Sequence, residues 1–138
     1  MYKETIKYTD FNGVERTEDF YFHLTEAELT KMQTGVTGGL TEKIKRLIAA
    51  DNVPEIMVVF EELITKSYGV KSADGRGFLK RKEDLEAFMA TEAYSQLYMK
   101  LITDDQAAAQ FINGIVPASL AARAASLQNA SPMPVPNN

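Results

Sequence analysis

His23 is the only histidine in the sequence, and there is no cysteine to work beside it. Imidazole catalysis by His23 would need a nucleophile or an orienting carboxylate in a recognisable arrangement. None of the HExxH, GxSxG, Walker A or Rossmann patterns occurs. The missing cysteine excludes a disulfide framework, a zinc–thiolate site, a thiol nucleophile and an iron–sulfur cluster. Any metal would therefore depend on carboxylates. The candidate pairs, Glu61-Glu62 and Asp104-Asp105, are adjacent in sequence. On a helix, neighbours point in different directions, so these pairs read as solvated charge and helix-end charge. The stretch Asp10-Phe11-Asn12-Gly13 has the outline of a calcium loop, but its glycine arrives two positions early and no glutamate stands at the twelfth. Gly75-Arg76-Gly77 is too short to cradle a phosphate. His23 thus reads as a surface or half-buried residue at a strand end, and the sequence predicts no catalytic residue, no metal site and no cofactor.

Binding chemistry has more to offer. Lys71, Arg76, Lys80, Arg81 and Lys82 concentrate positive charge in and after a glycine-rich segment. The cluster has two readings: a solvated loop and helix start, or a docking patch for an acidic protein surface or nucleic acid. Lys80-Arg81-Lys82 at a helix N-terminus also opposes the macrodipole. Tyr2, Tyr8, Tyr21 and Tyr68 fall where exposure is expected, and exposed tyrosines favour protein interfaces. The whole chain of 138 residues has a net charge of −4, from 19 acidic and 15 basic side chains. That balance speaks against broad nucleic-acid binding. The N-terminus lacks the apolar core of a signal peptide, and the longest near-apolar run, Ile56 to Phe60, is far short of the ~20 residues that span a bilayer.

The elements that position these groups read as α+β, mainly α. Thr5 to Thr9 and Val14 to Phe22 are β-rich segments around Asn12-Gly13, the pattern of a hairpin with a type I′ turn. Thr25 with Glu28 forms a capping box and Leu24 with Leu29 a hydrophobic staple, which together start a helix that ends by Thr34. Gly35, Gly38 and Gly39 form a flexible connection. Thr41 opens a second helix, with Ile44, Leu47 and Ile48 on one face, which Asp51 and Asn52 break. Pro54 suits the first turn of a third, striped by Ile56, Val59, Phe60, Leu63 and Ile64 and stopped by Gly69. Gly69 to Phe78 is a loop or second small hairpin. Further helices follow over Lys82 to Met89, after Thr91, and after Thr103, the last ending at Gly114 and Pro117. The expected core is Phe20, Phe22, Leu29, Ile44, Leu47, Ile48, Ile56, Val59, Phe60, Leu63, Leu85, Phe88, Leu97, Leu101, Phe111 and Ile112. The expected organisation is a single globular domain over 1–117, with the hairpin in 1–23 and a bundle of about five helices in 24–117. Residues 118–138 read as an Ala-rich segment and a flexible Pro-rich tail.

Whole segments carry a resemblance. YKETIKYTDFNGVERTEDFYF, followed by LTEAEL, resembles the start of the tail assembly chaperones of long-tailed (siphophage-type) bacteriophages. The likeness continues in ELITKSYGVKSADGRGFLK and TEAYSQLYMKLITDDQAAAQFINGIVP, and so covers residues 2–117 in order. The resemblance implies a non-enzymatic protein of the host cytoplasm that coats the helical tape measure protein and helps recruit tail tube subunits. It implies many copies, absence from the finished particle, and in many members a frameshift-extended form. It brings no catalytic or binding residues to specific positions. The competing reading is a small nucleic-acid-binding or regulatory phage protein that uses the 71–82 patch.

Overall fold

The computed structural model describes residues 1–33 and 39–116. Among these, a four-stranded antiparallel sheet is combined with six helices. The expectations for 34–38 and for the Ala-rich and Pro-rich region from Pro117 onward lie outside the described residues.

The N-terminal hairpin pairs β1 (Tyr2–Thr9) with β2 (Glu15–Phe22), from Tyr2 opposite Phe22 to Thr9 opposite Glu15. The turn is not type I′. Gly13 has φ 80°, whereas Asn12 stays out of the left-handed region. Asp10 organises the turn instead: its Oδ1 accepts from the amides of Asn12 and Val14, and its carbonyl accepts from Gly13. A side chain that hydrogen-bonds its own turn removes the need for a second left-handed residue. Alternation along β1 turns Tyr2, Glu4, Ile6 and Tyr8 inward and Lys3, Thr5, Lys7 and Thr9 to solvent.

Helix α1 (Glu26–Gln33) starts with the predicted capping box, in which the Thr25 amide donates to Glu28 Oε1 at 2.9 Å and the Glu28 amide to Thr25 Oγ1 at 3.2 Å. Leu24 and Leu29 are both buried, as a staple requires. Helix α2 (Gly39–Ala49) begins two residues before Thr41, so Gly39 belongs to the helix rather than to the connection. Asp51, in the left-handed region at φ 53°, closes it. Asn52 then caps α3 (Val53–Ser67), with Pro54 in the first turn.

Gly69 does not stop α3. The chain passes from Ser67 directly into β3 (Tyr68–Lys71), which pairs with β4 (Phe78–Leu79) in a second hairpin. β3 also pairs with β2, Phe22 opposite Tyr68 and Tyr21 opposite Gly69, giving the order β1-β2-β3-β4. Gly69 is there for space: a Cβ on it would lie 2.5 Å from the Phe78 ring and 2.9 Å from the Leu79 carbonyl oxygen.

Three helices complete the fold: α4 (Lys82–Met89), α5 (Glu92–Thr103) and α6 (Asp105–Ile115). Thr91 caps α5 as expected, but α6 is capped by Asp104, whose Oδ1 accepts from the amides of Gln106 and Ala107. Thr103 instead ends α5, its hydroxyl donating to the Met99 carbonyl. Aspartate serves better here because a charged acceptor also meets the positive end of the helix dipole. Gly114 sits in the last turn of α6, one residue before its end at Ile115 as expected, and faces Tyr2.

α5 and α6 pack on β1, and α4 packs on β3. Between them, Phe22 contacts the rings of Phe111 (5.3 Å), Tyr68 (5.7 Å) and Phe88 (5.9 Å). Most of the expected core is buried or packed against it, but Ile48 is 50% exposed. The stripe at helical spacing on α2 is wider than the surface its neighbours cover, so its outer edge faces solvent. Met89, the last residue of α4, is exposed as well. The core also takes Ile6, Leu24, Leu40, Ile64, Ala93, Ala107 and Ile115.

Candidate partner-binding surfaces

The tyrosines expected at the surface are mostly drawn inward. Tyr8 is buried, its hydroxyl donating to Glu18 at 2.5 Å. Tyr2 is half-buried, edge-on to Phe111 at 5.5 Å, with its hydroxyl on Glu4; burial, then that contact, pushes its pKa up to about 12. Tyr68 is half-buried and stacks on Phe88 at 4.4 Å. The sheet face that closes over α4, α5 and α6 is what buries these rings. Tyr21, on the opposite face of β2, lies beneath the Lys71 ammonium, 4.5 Å from its ring centre.

The basic residues divide. Lys71 is held by Tyr21, and Arg76 sits at the tip of the second hairpin, where Gly75 has φ 76° and Asp74 accepts from the Arg76 amide. Lys80, Arg81 and Lys82 instead border a cleft of about 380 Å³ that Lys31 of α1 and Lys66 of α3 also line. Its floor is Leu24, Met32, Tyr68 and Leu85. The helix-dipole misfit at α4 is resolved locally. Lys80 turns away to Glu28 (2.8 Å) and the His23 carbonyl (2.7 Å), Arg81 pairs with Asp84 at 2.7 Å, and Glu83 with Asp84 supplies the acidic first turn. Burial raises the Glu28 pKa, but Lys80 and Thr25 outweigh it and hold the carboxyl below its ordinary value. The Glu28 contribution to stability is thus present at neutral pH and lost only as pH falls through the acid range. Lys31 and Lys66 lie on separate helices, and only the tertiary fold brings them to one cleft, so no local pattern in the sequence joins them.

A second surface is apolar. A groove of about 430 Å³ runs between α2, α3, α5 and α6, lined by Ile48, Val53, Ile56, Phe60, Ile102 and Ile112 among others. Lys45, Asp51 and Asp105 stand at its margin. Ile48 and Val53 are each about half exposed at its mouth (50% and 49%). An apolar groove with a polar margin, open among the described residues, is the form of a helix-docking surface.

His23 is half-buried at the end of β2, edge-on to Phe78 at 6.2 Å, and its Nδ1 is buried without a hydrogen-bond partner. Burial first, then the N-terminal amine and Lys80, lower its pKa, and Glu28 only partly offsets them. The fold therefore favours the neutral ring. Its contribution is complete above the ordinary histidine value, about 6.5, and is lost as pH falls through the lower folded value. As the single histidine, His23 should dominate the change in melting temperature between roughly pH 7 and pH 5. Thermal melts should show a decline over that interval that His23→Gln flattens; an unchanged slope in the variant would contradict this account.

Among the described residues, no group of three or more His, Cys, Asp or Glu side chains is placed to hold a metal ion, and no helix is long and apolar enough to cross a membrane. A family model described as phage tail assembly chaperone matches residues 1–135. Neither the curated proteins nor the solved structures yield a match.

Proposed function

Because this chain belongs to the phage tail assembly chaperone family, we propose that it acts in siphophage-type tail assembly by binding the tape measure protein. In this reading it assists recruitment of the major tail (tube) protein, works without catalysis in the host cytoplasm, and stays out of the mature virion. The family match over residues 1–135 carries the reading. The groove between α2, α3, α5 and α6 supports it with a concrete surface: a helical partner can lay an apolar stripe across Ile48, Val53 and Ile112, as helix-in-groove recognition requires.

Coating a long partner requires many copies. Among the described residues, β1 lies at the edge of the sheet, with no strand on its outer side. We propose this edge as the contact between copies, with Tyr21 and the side chains of the 71–82 segment available at the opposite side of the sheet.

The test is co-purification with the tape measure protein. The wild-type chain should retain it. Ile48→Asp with Val53→Asp should weaken retention about tenfold or more, since a buried charge without a partner is costly at an apolar interface. Both residues are half exposed, so the variant should melt close to the wild type. Failure of the wild type to retain the tape measure protein would overturn the function. Undiminished retention by the variant would overturn the groove as its site.

A further inference from the structure

The cleft beneath Lys80–Lys82 is separate from the apolar groove, and its chemistry is different. We infer that it is a docking site for an acidic peptide segment that carries apolar side chains among its carboxylates, supplied by a partner protein.

Charge comes first. Five cations, Lys31, Lys66, Lys80, Arg81 and Lys82, line the cleft against one carboxylate, Glu28, in a chain whose net charge is −4. Glu28 and Asp84 engage Lys80 and Arg81. Among the described residues, Lys31, Lys66 and Lys82 form no ion pair with a carboxylate. The uncompensated cations therefore come from three separate elements that meet at one rim. Like charges held together repel, and an anionic ligand that spans them removes the repulsion.

The floor decides what kind of anion fits. Met32, Leu85 and the ring of Tyr68, over the buried Leu24, give the base of the cleft an apolar surface. A free phosphate has no use for such a surface. A nucleic acid would meet only one aromatic ring there, where single-strand binding relies on a series of stacking platforms. A peptide with alternating acidic and apolar residues matches both levels, its carboxylates reaching the lysines and its apolar side chains covering the floor. Glu28 holds Lys80 across the cleft wall, so the floor is braced before a ligand arrives.

The experiment uses the full chain and three labelled probes in fluorescence anisotropy: a Glu/Leu peptide, the same peptide with Gln for Glu, and a single-stranded DNA oligomer. The Glu/Leu peptide should bind with an affinity that falls as salt rises, and the Gln peptide should bind roughly tenfold more weakly. The triple variant Lys31→Glu, Lys66→Glu and Lys82→Glu should also lose roughly tenfold. Lys3→Glu with Arg76→Glu, away from the cleft, should stay within about twofold of wild type. Where charge reversal disturbs folding, the set Lys31→Gln, Lys66→Gln and Lys82→Gln reads out the same loss. Absence of binding, equal binding of the Glu and Gln peptides, full retention by the cleft variants, or tighter binding of the DNA would each overturn the inference. The groove variant Ile48→Asp with Val53→Asp should bind the acidic peptide like wild type, which separates this result from the outcome of the tape measure test.

Discussion

Phe22→Ala should destabilise the fold by about 3–5 kcal/mol, the range for removing a large aromatic side chain from a core that cannot collapse around the gap. Phe22 is fully buried and meets three other rings, Phe111 of α6, Phe88 of α4 and Tyr68 of β3. It also ends β2, where the strand pairs with both β1 and β3. The same side chain thus joins both hairpins to two helices, and its loss leaves a cavity lined by rings already held by other contacts. Edge and tilted aromatic pairs add about 0.5–1.5 kcal/mol beyond area burial, which puts the expected cost toward the upper end. In thermal denaturation the midpoint should fall by roughly 10–20 °C. Ile48→Ala, at a half-exposed position, is the contrast, with an expected change of about 0.5 kcal/mol or less. A change of under about 1 kcal/mol for Phe22→Ala would mean that the ring cluster does not organise the core.

Gly114→Ala should also destabilise, against the usual sign. Alanine ordinarily gains over glycine in a helix, by up to about 1 kcal/mol in the interior and by less in a last turn such as this one. Here the added Cβ would stand 2.9 Å from Cγ and 3.0 Å from Cβ of Tyr2. Those atoms are the root of the side chain and cannot swing clear as a flexible tip would. Relief requires β1 to retreat from α6, which loosens the Tyr2–Phe111 edge contact. Overpacking of this kind costs about 1–3 kcal/mol. The distinguishing measurement is a double-mutant cycle: with Tyr2→Ala in place, Gly114→Ala should cost markedly less, a coupling of about 1 kcal/mol or more. Strict additivity would place the cause elsewhere.

These two positions also show what could be read in the sequence. Phe22 was placed in the core by strand alternation alone, and Thr25, Asn52 with Pro54, and Thr91 announced their helices through local chemistry. Such devices act within four residues, so a sequence displays them directly. Gly69 and Gly114 read locally as punctuation, and α3 and α6 do end beside them, at Ser67 and Ile115. Their actual role, allowing Phe78 and Tyr2 to approach, depends on partners brought in by tertiary packing. The pairing of β3 with β2 is hidden for the same reason, since Tyr68 and Phe22 meet only after three helices intervene. Tyr8 and Tyr68 were expected outside, because nothing local records that helices would cover that face. At the candidate surfaces, Lys80, Arg81 and Lys82 were legible as a run, whereas Lys31 and Lys66 were not. The exposed edge of α2 at Ile48 has the pattern of core, because a stripe shows its own width and not how much of it a neighbour will cover.

The backbone closure at Leu24 bears on how the chain is made. Its amide donates to the carbonyl of Ile115, and β1 is covered by α5 and α6. The hairpin leaves the ribosome before the helices that seal it. At about 5–20 residues per second, the wait between Leu24 and Ile115 lasts roughly 5–18 s. Throughout it the inner faces of Ile6, Phe20 and Phe22 lack their native cover, and a two-stranded hairpin alone is marginal in water. Lys3 and Lys7, alternating along the outer strand, discourage sideways pairing with a neighbouring nascent chain on the same messenger. The apolar face has no such guard. Until Ile115 is made, that face stays open to any other apolar surface it meets.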